Sequence, residues 1–209
     1  TSSQPSSLSL SSLTPNQGFT ITGAIADDRS GQSVSSAGDF NGDGLSDVII
    51  GAPDANSGAG NSYVIYGTSS QPSSLSLSSL TPNQGFNITG AATGAYSGWS
   101  VSSAGDFNGD SLNDIIIGAP FTDQYDSSGN DAGRSYVIYG TNSKPSSLTL
   151  SSLTQWPTTQ GFTITGAAPG DRSGWSVSSA GDFNSDGLND IIIGAPGIAG
   201  SAGNSYVIY

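Results

Sequence analysis

The sequence predicts an all-β fold assembled from copies of one four-stranded antiparallel unit, and three observations carry the prediction. One nine-residue acidic loop is spelled three times, beginning at Asp39, Asp106 and Asp182, 67 and 76 residues apart. Every strand candidate is short, rich in β-branched and aromatic residues, and bounded by Gly, Asn, Asp, Ser or Pro. No segment of useful length follows a helical period, and 30 glycines among 209 residues suit many tight turns.

Taken in order, repeat one opens on Gly18-Phe19-Thr20-Ile21-Thr22-Gly23, where Phe and Ile alternate. The second candidate is Gln32-Ser33-Val34-Ser35-Ser36-Ala37, which runs into the acidic loop. The third, Asp47-Val48-Ile49-Ile50-Gly51, is a continuous apolar run and is expected near a hub, buried on both faces. The fourth is Ser62-Tyr63-Val64-Ile65-Tyr66. A Ser-rich connector, Thr68 to Gln84, leads to the next Gly-Phe strand; its Leu75, Leu77 and Leu80 predict a segment pinned to the sheet rather than a free linker. Thr1 to Phe19 recurs letter for letter as Thr68 to Phe86, which implies recent duplication or deliberate construction.

Four-stranded repeats of this length predict propeller blades, with one domain spanning 1–209 and repeats at about 1–67, 68–140 and 141–209. Each Gly-Phe strand is expected to serve as the outer strand of the preceding blade. The first is then left over, and the blade ending at Tyr209 lacks its own. Typical propellers have 4 to 8 blades. Three repeats therefore predict either a dimer that closes a six-bladed ring or a piece of a larger propeller.

Composition narrows the chemistry. The net charge is -12, from 16 acidic and 4 basic residues, and every acidic residue is Asp. So acidic a chain repels phosphate backbones and anionic lipid, which argues against nucleic acid and anionic membrane as direct partners. No apolar run approaches the length of a membrane span, so direct membrane insertion is not expected. Without His, Cys or Glu, there is no usual zinc ligand, general base or thiol nucleophile. The expectation is a protein that is not an enzyme. A hydrolase reading would rest on Asp pairs such as Asp123 and Asp126.

Nine of the 16 Asp lie in the three loops. Repeat one presents Asp39, Asn41, Asp43 and Asp47 side chains and the Leu45 carbonyl; repeat two presents Asp106, Asn108, Asp110, Leu112 and Asp114; repeat three presents Asp182, Asn184, Asp186, Leu188 and Asp190. Oxygens at positions one, three, five, seven and nine can surround a hard cation, and Ca²⁺ takes six to eight of them. The prediction is three Ca²⁺ sites, one per repeat. Carboxylates about 5 Å apart, at an effective dielectric near 20, repel by roughly 3 kcal/mol per pair, and a divalent ion removes that cost. The alternative is a metal-free Asx-turn hairpin, since Asn-Gly and Asp-Gly are also hairpin signals. Ser111 replaces the turn glycine of repeat two, so that site is expected to be weakest; Ser185 stands at a more tolerant position.

Each loop followed by a strand ending Gly51-Ala52-Pro53, Gly118-Ala119-Pro120 or Gly194-Ala195-Pro196 resembles the FG-GAP repeat, the blade motif of integrin α-subunit propellers and of many bacterial surface proteins. The resemblance covers nearly the whole chain. It implies calcium in the hairpin between the first two strands of a blade, on the lower face, and a cell-surface or extracellular protein. Integrin propellers have seven blades, so three repeats depart from the pattern.

The resemblance also places ligands on the face opposite the calcium loops, where a protein or a glycan is the expected partner. The repeat-two insertion, Phe121 to Asp131, lies there. Trp99 and Trp175 stand where repeat one has Gln32, either as wedges between blades or as stacking platforms for sugars. Asp28-Arg29 and Asp171-Arg172 predict turn-stabilising ion pairs, and Asn87-Ile88-Thr89 is a glycosylation sequon. The leading reading is a non-catalytic calcium-binding module for adhesion, protein interaction or assembly, and the alternative is a lectin-like propeller.

Overall fold

The structure is a computed structural model and describes residues 7–70, 72–122, 131–153, 159–197 and 202–209. Its strands are β1 (Thr20–Thr22), β2 (Ser33–Gly38), β3 (Asp47–Ala52), β4 (Asn61–Ile65), β5 (Ser74–Ser76), β6 (Gly85–Thr89), β7 (Ser100–Gly105), β8 (Asp114–Ala119), β9 (Arg134–Ile138), β10 (Ser147–Thr149), β11 (Gly161–Thr165), β12 (Ser176–Gly181), β13 (Asp190–Ala195) and β14 (Asn204–Ile208). Among the described residues the only longer helical segments are single 3₁₀ turns and the tight turn Ala55–Gly58.

Three antiparallel sheets follow from the three repeats, each built outward as a meander. The first runs β2, β3, β4, β6; the second runs β7, β8, β9, β11; the third runs β12, β13, β14. β6 and β11 carry the Gly-Phe spelling, and these two strands complete the sheets of the repeats before them. The connectors are packed as the leucines predicted. β5 pairs parallel with β1 and β10 pairs parallel with β6. Leu77 is buried, with Leu75 and Leu80 against the same apolar cluster.

Two apolar seams join neighbouring sheets. Phe40, Ile49, Val64 and Phe86 of the first sheet meet Val101, Ile115, Ile117 and Tyr136 of the second. Ala104, Phe107, Ile116 and Phe162 of the second meet Ile191 and Ile193 of the third. β8 is buried at every position, as an apolar strand covered on both faces must be.

The strands that converge between sheets are not the apolar ones. β2, β7 and β12 stand side by side at the inner edge, and all three read Ser-Val-Ser-Ser-Ala-Gly. Small side chains let three strands close on one another where the wedge narrows. The Ile-rich strands lie one position further out, where there is volume to fill. The inner seam is partly polar: Ser33 Oγ donates to the Gly98 carbonyl at 2.8 Å and Ser100 Oγ to the Gly174 carbonyl at 2.9 Å.

Candidate metal centre

Each acidic loop joins the first and second strands of its sheet, which puts all three loops at the same end. A β-bulge at Gly38, Gly105 or Gly181 turns the chain into the loop. These glycines have φ of +64°, +67° and +67°, a region that a side chain makes costly.

Within loop one, Asp39 Oδ1 accepts from the Asp43 amide at 3.0 Å and its Oδ2 from the Gly44 amide at 2.9 Å. Asn41 Oδ1 accepts from the Asp43 amide at 2.8 Å, and Asn41 Nδ2 donates to Asp43 Oδ2 at 3.0 Å. Asp43 Oδ1 accepts from the Leu45 amide at 2.9 Å. Asp47 is buried and works as a tie between elements. Its Oδ2 accepts from the Phe40 amide at 3.0 Å, and its Oδ1 from the Gly67 amide, beyond β4, at 2.7 Å.

The other loops repeat this web. In loop two, Asp106 Oδ2 takes the Ser111 amide, Asn108 Oδ1 the Asp110 amide and Asp110 Oδ1 the Leu112 amide. Asp114 takes the Phe107 and Gly140 amides. In loop three, Asp182 takes the Asp186 and Gly187 amides, Asn184 Oδ1 the Asp186 amide and Asp186 Oδ1 the Leu188 amide; Asp190 Oδ2 takes the Phe183 amide.

Every predicted ligand thus lies in one loop with its companions, but among the described residues no three acidic side chains converge on a point. The carboxylates face backbone N–H groups instead. The donor set still suits a hard divalent ion. All the donors are oxygens, and an oxygen that accepts one N–H bond keeps a second lone pair. In loop two, Asp106 Oδ1 is buried with no hydrogen-bond partner. An anionic oxygen in that condition fits a cation better than an Asx turn.

Electrostatics distinguishes the ninth position from the rest. Burial pushes Asp114 up to about 6, against the pull of the Gly140 and Phe107 amides and with the push of the Asp110 charge. Burial raises Asp47 in the same way. The Leu188 amide and Asn184 hold the exposed Asp186 below the ordinary carboxylate range.

The two serine substitutions differ as their positions do. At loop position six, Gly44 and Gly187 take φ of +85° and +94°, and Ser111 is held at +72°. At position four, Gly42 and Gly109 take +72° and +76°, and Ser185 sits at +63°, closer to the left-handed well that a side chain tolerates.

Sequence reading passed over position eight. Asn113 Oδ1 accepts from the Asp39 amide at 2.9 Å, and the Asn113 amide donates to the Asp39 carbonyl at 3.1 Å. Asn189 grips Asp106 in the same way, at 3.0 Å for both bonds. Each later loop therefore clasps the first acidic residue of the loop before it. The signal was the Asn shared by loops two and three, where loop one has Ser46.

At the opposite end of the sheets, Trp99 and Trp175 pack on each other at 5.1 Å, with Phe121 at 5.2 and 5.7 Å from them and Tyr96 at 5.4 Å from Phe121. All four rings are half-buried. Arg172 lies over Phe121 and Trp175. The expected local ion pairs do not form. Arg29 bonds Asp54 at 2.9 Å rather than Asp28, and Asp171 accepts from the Ala168 amide. Arg29 and Arg172 sit at left-handed φ, which turns the side chain away from its neighbour. The insertion residues 123–130, including Asp123 and Asp126, and the segment 154–158 lie outside the described residues. Asn87 of the sequon lies mid-strand in β6, paired on both edges.

Residues 30–65, 97–138 and 173–208 match the FG-GAP repeat. The chain is 35% identical over 168 residues to integrin alpha-5 of Xenopus laevis, covering 79% of this chain and 14% of that protein. It is 32% identical to integrin alpha-PS2 of Drosophila melanogaster, over 76% of this chain and 10% of the relative. With integrin alpha-V of Gallus gallus the identity is 31%, over 83% and 14%. The chain thus spans about a seventh or less of these relatives' length. With three in-register repeats, each joining an acidic hairpin to a strand that ends in Gly-Ala-Pro, the chain belongs to the FG-GAP repeat family.

Proposed function

We propose that this chain is a calcium-stabilised, non-catalytic propeller module for adhesion, protein interaction or assembly, acting outside the cell or at its surface. Residues 1–209 form one domain of three repeats, completed into a six-bladed ring by a second copy. One Ca²⁺ binds in each loop, held by the side chains at positions one, three, five and nine and by the carbonyl of Leu45, Leu112 or Leu188. The ion supplies the positive charge that lets three carboxylates share one turn. The observation that carries the reading is the threefold acidic loop, in whose second copy Asp106 Oδ1 is buried with no donor among the described residues. Millimolar external calcium fills even weak sites of this class.

The test is calorimetric titration of metal-stripped protein with calcium. Three sites and a raised melting temperature are expected, with Asp43→Ala removing one site. No binding heat and an unchanged melting temperature would refute the reading. A second reading, a glycan-binding propeller, rests on the half-buried Trp99 and Trp175 at the far end. Quenching of tryptophan fluorescence by sugars, followed by a glycan array, separates the two.

A further inference from the structure

The third sheet ends on an open edge, and the first strand offers the matching one. β6 is paired along both edges, antiparallel to β4 and parallel to β10. β1 continues the same Gly-Phe-x-Ile-Thr spelling from Gly18 and is held in parallel by β5. Among the described residues, β1 has no partner on its other edge and β14 has none beyond β13. The connector thus holds β1 where an outer strand belongs, with no sheet for it to complete.

Side chains show the same gap from both sides. Phe40 and Phe107 are 0% and 7% exposed, each packed 5.7 Å from the ring of an outer strand, Phe86 or Phe162. Their equivalent Phe183 is 64% exposed and, among the described residues, stacks only on Tyr209. The ring it lacks is the one Phe19 carries. Phe19 itself lines a groove with Val48, Ile65 and Tyr66. One repeat on, the corresponding groove of Phe86, Ile138 and Tyr139 includes Phe40 from the preceding sheet. Val34, at the inner edge of the first sheet, is 66% exposed where Val101 is 7% exposed.

We propose that β1 of a second copy of this chain completes the third sheet by pairing with β14. By the register of β4 with β6, Gly18 stands opposite Ile208, Phe19 opposite Val207, Thr20 opposite Tyr206, Ile21 opposite Ser205 and Thr22 opposite Asn204. Phe183 then enters the partner's groove beside Phe19. The same contact made in the other direction closes the ring. This deepens the six-bladed reading above and rests on it. The interface continues the two seams already inside the chain, with Ser46 and Gln32 standing where those seams have Asn and Trp. Pairing with a second copy covers β14, β1, Val34 and the Phe19 groove in one contact.

One clasp is weaker at this junction. Asn113 and Asn189 fill the space over Gly38 and Gly105, while nothing lies within 4 Å of a Cβ built on Gly181. The residue that would reach it is the shorter Ser46. Ser46→Asn is expected to tighten the dimer about tenfold by restoring the side-chain bond to the Asp182 amide.

The test is the mass of the whole chain by sedimentation, together with oxidation of Thr20→Cys/Tyr206→Cys, in a chain with no other cysteine. A two-chain mass and a covalent dimer are expected, with no cross-link from the out-of-register pair Thr20→Cys/Asn204→Cys. A folded β-rich monomer at every concentration overturns the junction, as does a dimer that cross-links only out of register. A monomer that still binds three calcium ions sinks the junction alone. A cross-linked dimer that binds none sinks the metal reading alone.

Discussion

Metal-stripped protein should be more stable at pH 4.5 than at pH 7, the reverse of common acid denaturation. The cause is Asp114, fully buried and with its pKa pushed up to about 6 from 3.8. A carboxyl whose folded pKa is raised holds the proton more tightly when folded. Its favourable contribution is complete below the unfolded value and is lost as pH rises through the folded one. The whole shift corresponds to roughly 3 kcal/mol, and about 2 kcal/mol of it separates pH 4.5 from pH 7. Asp47 and Asp28, both raised by burial, push in the same direction, and relief of a net charge of -12 adds to it. The exposed Asp186 opposes weakly. The assay is urea denaturation in calcium-free buffer at both pH values, with Asp114→Asn as control. The wild type should gain stability on acidification by more than the variant, which has no proton to bind there. Saturating calcium should invert the trend, because a cation favours the ionised carboxylate. A wild-type curve that falls steadily from pH 7 to 4.5 without metal, parallel to the variant, would refute the reasoning.

Ser111→Gly should stabilise the protein by about 0.5–1 kcal/mol, since glycine takes the left-handed φ that Ser111 is forced into, and should strengthen the calcium site of repeat two; thermal melts with and without calcium read both. Asn113→Ala should cost about 1–3 kcal/mol, because the half-buried Asp39 amide loses its only side-chain acceptor; urea denaturation measures it, and faster exchange of the Asp39 amide locates it. Gly38→Ala should cost at least as much, since a Cβ there runs into the Asn113 side chain at positive φ.

The strand plan was legible because it is written in local chemistry. Alternation in Gly18-Phe19-Thr20-Ile21 and the unbroken Asp47-Val48-Ile49-Ile50 run each mark a strand without reference to anything distant. The assignment of Gly-Phe strands to the preceding sheet was legible from the same source, as a surplus strand at one end and a missing one at the other. The inner edge was not. Apolarity marks depth only where there is volume to fill; at a converging edge the governing quantity is side-chain size, and Ser-Val-Ser-Ser-Ala closes where Ile cannot. The acidic residues of the loops were legible because the same spelling stands three times in register. What those carboxylates bond to depends on backbone N–H directions that no spacing encodes. The adjacent pairings Asp28–Arg29 and Asp171–Arg172 were not legible for the same reason: both Arg residues take a positive φ, Arg29 reaches Asp54 instead, and the sequence shows only that Arg follows Asp.

Position eight links the loops to the stacking of the sheets. Asp39 offers its carboxylate to its own loop and its backbone N–H and C=O to Asn113 of the next. The loop of Asn113 is in turn headed by Asp106, which Asn189 holds. Any rearrangement that turns the Asp39 carboxylate from the Asp43 and Gly44 amides toward an ion pivots on a residue whose main chain is fixed by the neighbouring sheet. Fixing the pivot restricts the carboxylate to fewer orientations before the ion arrives, which lowers the entropic cost of gathering the ligands. The converse also holds by linkage: an ion that rigidifies Asp39 strengthens its grip on Asn113. Among the described residues loop three has no such neighbour, since no side chain lies over Gly181. The calcium site proposed for loop three should therefore gain affinity when another sheet is seated against it, so that metal binding and assembly would reinforce each other at that loop above all.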